Sequence, residues 1–217
     1  MKRLRKKAGG GSGSDKNMAS INIQQFLYEH DGSMKRSTLI RELHSVGASI
    51  PTISQKLKDL EIDGSIKTSG DIIILVPICK AEQMLLHGNQ NEDGSMEPIG
   101  HNQVSIPYDK TLFRVVDESD KLLDEITVDD GMIELLRAIW RHKIPTFHSC
   151  QGTEGDKAWI RFMWRKDVPR FLDLVPQSSN NAHWGLGFIE DEKNYQISFP
   201  PEDIARITEE LNSKPIS

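Results

Sequence analysis

The nine residues Ile144 to Gly152, IPTFHSCQG, hold the densest set of reactive groups in the chain. A Cys followed by a polar residue and a Gly at the end of a strand gathers a thiol, a hydroxyl and several backbone N–H groups around one turn, where an anion or a polar ligand can be held. Ser149, Cys150, Gln151 and Gly152 are therefore the candidate ligand-binding residues, with Arg161 on the following strand as a fifth. The rival chemistry is nucleophilic attack by Cys150 with His148 or His183 as base, which makes Cys150 and His148 the catalytic candidates. His148 shares a face with Cys150 only if the strand persists through residue 150. Against both stands a buried Cys that simply ties two strands together. The residues lean toward a binding protein rather than an enzyme, and they ask for no cofactor.

Regular elements must position this turn. Asp129 or Asp130 can cap a helix whose Met132, Leu135, Leu136, Ile139 and Trp140 form one apolar face. Ile144 to Ser149 then reads as a strand, Cys150 to Lys157 as a loop and Ala158 to Trp164 as a second strand, and Asp167 is placed to cap a helix with Val168, Phe171, Leu172 and Val175 inward. The order repeats about 36 residues later, by a count along the chain. AWIRFMWRKDVPRFLDLV and NYQISFPPEDIARITEEL thus look like two ββα units, which predicts one antiparallel sheet with helices on one face, an α+β domain over 111–217. Trp159, Trp164, Trp184, Phe147 and Tyr195, with Arg161 and Arg165, would either stack bases on a sheet face or fill the core. Core packing is the expectation for most of them.

Upstream, apolar residues follow helical spacing three times and then alternate. Leu39, Ile40, Leu43 and Val46 mark a short helix with Ser37 at its start and Gly47 at its end. Ser49 can cap a third helix with Pro51 in its first turn and Ile53, Leu57 and Leu60 inward. Asp63-Gly64 and Ser69-Gly70 then punctuate two strands, the second being the β-branched run Ile72 to Val76. Three helices and a hairpin predict a winged helix over 19–78. The segment PTISQKLKDLEIDGSI resembles the recognition helix and first wing strand of bacterial winged-helix regulators. That resemblance implies DNA binding by Thr52, Gln55, Lys56 and Lys58, with Lys67 on the wing.

Charge tempers that implication. The formal net charge is −5, and the winged-helix stretch itself has six basic and seven acidic residues. Phosphate neutralisation supplies much of the affinity for duplex DNA, so a protein partner is the competing reading. The cationic segment MKRLRKK on its Gly/Ser tether, a basic arm over 1–18, or assembly into a homodimer would supply the missing charge. Residues 79–110, rich in Gly, Asn and acids, read as a linker. Their carboxylates, continued by Asp117, Glu118, Asp120, Asp124 and Glu125, are scattered as solvated groups are, and no metal site is expected.

Two cysteines exclude a disulfide scaffold, and no apolar run reaches the roughly 20 residues of a membrane span. A cytoplasmic setting is the expectation. The run GMIELLRAIWRHKIPTFHSCQG with AWIRF after it resembles a group of uncharacterised bacterial and phage proteins sharing "T..SC.G", which brings no activity with it. Thr146, Ser149, Cys150 and Gly152 are also similar to the motif of the wybutosine-synthesising transfer-RNA methyltransferases, which would imply S-adenosylmethionine. His148, Gln151 and Thr153 depart from that family's residues.

Overall fold

Ser49 caps as its position predicts: its hydroxyl accepts the Thr52 N–H at 3.2 Å, Pro51 fits the first turn, and Ile53 and Leu57 bury the inner stripe. The structure, a computed structural model, describes residues 22–80, 88–90, 96–98, 101–152, 156–180, 182–189 and 194–216. The basic arm and most of the stretch 81–100 lie outside the described residues. The described chain mixes helix and sheet.

The first unit runs α1 (Ile23–Glu29), β1 (Ser33–Lys35), α2 (Arg36–Ser45), α3 (Ile50–Ile62), β2 (Ile66–Ser69) and β3 (Ile72–Leu75). Its strands pair antiparallel in the order β1-β3-β2, and Ile23, Leu27, Leu39, Leu43, Ile53, Leu57 and Ile73 are buried beneath them. Ser37 does not cap α2. Lys35 holds the cap position, and the Ser37 hydroxyl reaches instead toward Asp71 at 3.5 Å.

Next come β4 (Ile78–Lys80), β5 (Gly88–Gln90), β6 (Met96–Pro98), β7 (Gln103–Pro107), β8 (Arg114–Val116) and β9 (Glu125–Asp129). β4 pairs parallel with β8, and β7 pairs antiparallel with β9. The stretch read as a linker therefore begins and ends in strands whose Cys79 and Ile106 are buried in the shared core.

A 3-10 turn at Asp130–Met132 leads into α4 (Ile133–Arg141), then β10 (Thr146–Cys150), β11 (Ala158–Phe162), α5 (Asp167–Leu174), α6 (Pro176–Ser179), β12 (Gly185–Ile189), β13 (Asn194–Phe199) and α7 (Asp203–Ser213). The four strands form one antiparallel sheet in the order β10-β11-β13-β12, so the second strand of each ββα unit lies central and the first lies at an edge. The repeat extends to its charges: Asp167 binds Arg170 at 2.6 Å and Asp203 binds Arg206 at 2.7 Å, each pair in the first turn of its helix. Asp167 is fully buried, and it sits inside the helix rather than at its cap, which falls on Lys166.

The two units are joined by direct contacts. Arg114 donates to the Asp63 carbonyl at 2.9 Å, Lys166 to the Ser33 hydroxyl at 2.6 Å, and the Tyr28 and Trp164 rings meet edge to face at 5.4 Å. No described helix is long and apolar enough to cross a membrane.

Candidate functional site

Three strand ends converge on the Cys150 turn. β7 and β9 pair so that Gln103 faces Asp129, and the Asp130 N–H donates to the Asn102 carbonyl at 2.9 Å, which draws His101 to the end of β9. β10 runs through Cys150, so the cysteine belongs to the strand and not to the following loop. Thr146, His148 and Cys150 are all buried along β10, and a register shift between Thr146 and His148 pairs Thr146 with Phe162 but His148 and Cys150 with Arg161 and Trp159.

Gln151 fastens these ends. Its backbone N–H donates to the Asp129 carboxylate at 3.1 Å, and its side-chain oxygen accepts the Gly131 N–H at 2.7 Å. The amide nitrogen consequently faces His101 Nδ1 at 2.9 Å, so Nδ1 accepts and the imidazole proton resides on Nε2. His101 Nε2 is buried and has no hydrogen-bond partner among the described residues. Space constrains the two nearby glycines differently. A Cβ on Gly131 would stand 2.2 Å from the Gln151 side-chain oxygen and displace it, whereas at Gly152, with φ +73°, a Cβ would stand 2.8 Å from the Lys157 backbone, which cannot give way as a side chain can.

Asp129, a candidate helix cap by sequence, stands at the cap position of the 3-10 turn but makes no capping bond. Its carboxylate serves the Gln151 N–H and Cys150 instead. Burial pushes the Cys150 thiol up to about 11, partly offset by the Gly152 N–H that donates to the sulfur at 3.4 Å, and the Asp129 charge raises it further. The thiol is neutral at physiological pH and can act as a weak donor. A nucleophilic cysteine needs the reverse environment, a nearby cation or a helix N-terminus.

Beside this cluster lies a narrow cleft lined by His101, Asp129, Trp140, Thr146, His148 and Cys150. Its room of about 30 Å³ admits roughly two water-sized groups. His148 is buried on the inward side of β10, its ring edge against Phe147 at 4.0 Å. Ser149 also lines the cleft and is half-buried. Thr146 accepts the buried Trp140 indole N–H at 2.9 Å, so the first residue of the "T..SC.G" pattern positions α4 against β10.

Arg161 is not among the cleft residues. It pairs across from His148, stacks over Trp159 at 4.8 Å and donates to Gln196 at 3.0 Å, on the row opposite the buried Ile160 and Phe162. Trp164 is buried, and Trp184 packs on Phe199 at 5.2 Å while donating to Asp203. On α3, Gln55 and Lys58 are exposed and Thr52 and Lys56 are half-buried, but Gln55 bonds Asp59 at 2.8 Å. Lys67 points to the second unit, where it donates to the Thr111 carbonyl at 3.2 Å.

Sequence reasoning does not find His101 and Asp129 as site residues. The single available signal is the start of β7 read against the end of β9, and His101 sits inside a stretch with the composition of a linker.

No protein family matches the chain. Neither a curated protein nor a solved structure matches it.

Proposed function

We propose that the chain is a regulatory binding protein: a winged-helix unit that docks through α3, joined to an α+β unit whose Cys150 cleft takes a small polar ligand. The observation that carries this reading is the pairing of a first unit ordered α-β-α-α-β-β, with strands β1-β3-β2, to a cleft whose thiol is held protonated. The first supplies a docking helix, and the second supplies donors and an acceptor without an activated nucleophile.

Duplex DNA is the first partner considered, with Thr52, Gln55, Lys56 and Lys58 on the docking helix and Lys67 engaged elsewhere. Exposed apolar side chains favour a protein partner as the second reading. Val46 is 73% exposed, Ile50 49% and Ile62 76%, all on α2 and α3 or their junction. A mobility shift with duplex DNA at two salt concentrations separates them: binding that weakens steeply with salt supports DNA, and no binding at low salt leaves the protein partner.

The enzyme alternative, a small nucleotide- or RNA-modifying protein using Cys150, requires a thiolate at neutral pH. Burial and the Asp129 carboxylate both oppose one.

A further inference from the structure

We propose that the ligand of the cleft is a thiophilic divalent cation of the zinc class, held by His101, Asp129 and Cys150 with a fourth position open to water. This rests on the reading of the cleft as a binding site and names what it binds.

The three residues come from separate strand ends, and one ligand atom of each lies within 4.8 Å of the other two. Tetrahedral zinc with nitrogen, oxygen and sulfur ligands sets its donors roughly 3.3–3.8 Å apart, so closure of about 1 Å completes the site. His101, on the segment leading into β7, is the ligand best placed to move.

Asp129 and His101 are incompletely satisfied as they stand. Asp129 is 7% exposed, and its described partners are the Gln151 N–H and the Cys150 thiol, with no Lys or Arg among them. Such a carboxylate is costly to bury without a cation. His101 Nε2 is buried and finds no acceptor among the described residues. One cation pairs with the carboxylate and, once the proton has left Nε2, with the imidazole as well.

Proton accounting is direct. On binding, the Cys150 proton passes to solvent and the sulfur coordinates as thiolate. The His101 proton moves from Nε2 to Nδ1, freeing the Nε2 lone pair; the Gln151 amide swings its oxygen away from Gly131 to accept that proton, and the N–H of Gly131, an exposed residue, passes to water. Gln151 thereby becomes the residue that orients the ligating imidazole. No redox change is involved. Thiolate and imidazole select zinc-like ions over magnesium or calcium, which require an all-oxygen shell. The adjoining space of about 30 Å³ suffices for a water at the open position.

The test uses the full chain, free of affinity-tag histidines, with Zn²⁺ in competition against a chromogenic chelator and Co²⁺ as a spectroscopic probe. One ion per chain and a cobalt–thiolate absorption band are expected. Cys150→Ser and His101→Ala should each weaken Zn²⁺ binding by about 100-fold or more, and Gln151→Ala by roughly 10- to 100-fold. Cys79→Ala, altering the other thiol, should leave binding unchanged. Thermal melts without metal check that each variant folds, and if Cys150→Ser does not, His101→Ala and Asp129→Asn decide. Less than one ion per chain, or affinity unchanged in folded His101→Ala and Asp129→Asn, overturns the site. A chain that binds duplex DNA but no Zn²⁺ also overturns the metal while leaving the docking function in place.

Discussion

The indole of Trp164 occupies the space that a side chain at residue 32 would need: a Cβ on Gly32 would stand 2.5 Å from the ring. Gly32 belongs to the first unit and Trp164 to the second, so a backbone turn at φ +69° doubles as the socket for a buried aromatic. Gly32→Ala imposes left-handed strain and a steric clash together, and should cost about 1–3 kcal/mol. Chemical denaturation followed by tryptophan fluorescence reads the loss. Full stability in this variant would mean that the two units do not depend on the contact.

Thr146 is expected to matter for stability rather than for ligand recognition. Thr146→Val keeps the volume but leaves the Trp140 N–H buried without its acceptor, at a cost of about 1–3 kcal/mol. Urea melts should register that cost. A variant as stable as the parent would contradict the assigned hydrogen bond.

Thiol chemistry gives a pH prediction. Cys150 is raised from an ordinary value of 9.0 to about 11 and Cys79 to about 12, so the folded chain holds protons that the unfolded chain releases. The stability conferred by this difference is present in full below about pH 9 and is lost as pH rises through about 11 and 12. In the metal-free chain, labelling by a thiol reagent should be slow at pH 7 and complete only on denaturation. Rapid native labelling at pH 7 would show an activated thiolate and revive the enzyme reading.

Local pattern makes much of this fold legible. The apolar stripes of α3 and α4, the Ser49 cap and the two ββα units follow from spacing and turn residues, because each depends on neighbours within a few positions. The site is half legible for the same reason. Cys150, Gln151 and Gly152 lie together in sequence, whereas His101 and Asp129 reach them only through the β7–β9 pairing, which no local period encodes. Asp129 reads as a cap because an Asp before a helix usually is one, but the Gln151 N–H and the thiol take its carboxylate. Lys67 reads as a wing-tip cation, and only the packing of the units turns it toward Thr111.

Docking through α3 is tested most directly by the salt dependence of duplex DNA affinity for the parent chain, Lys58→Ala and Lys67→Ala. For each phosphate that a variant no longer neutralises, the slope of log affinity against log salt should shrink by about 0.9. Lys58, exposed on α3, should show that reduction, and Lys67, engaged with the Thr111 carbonyl, should leave the slope unchanged. No binding to duplex DNA at low salt, with residues 1–18 present, would contradict the DNA reading outright.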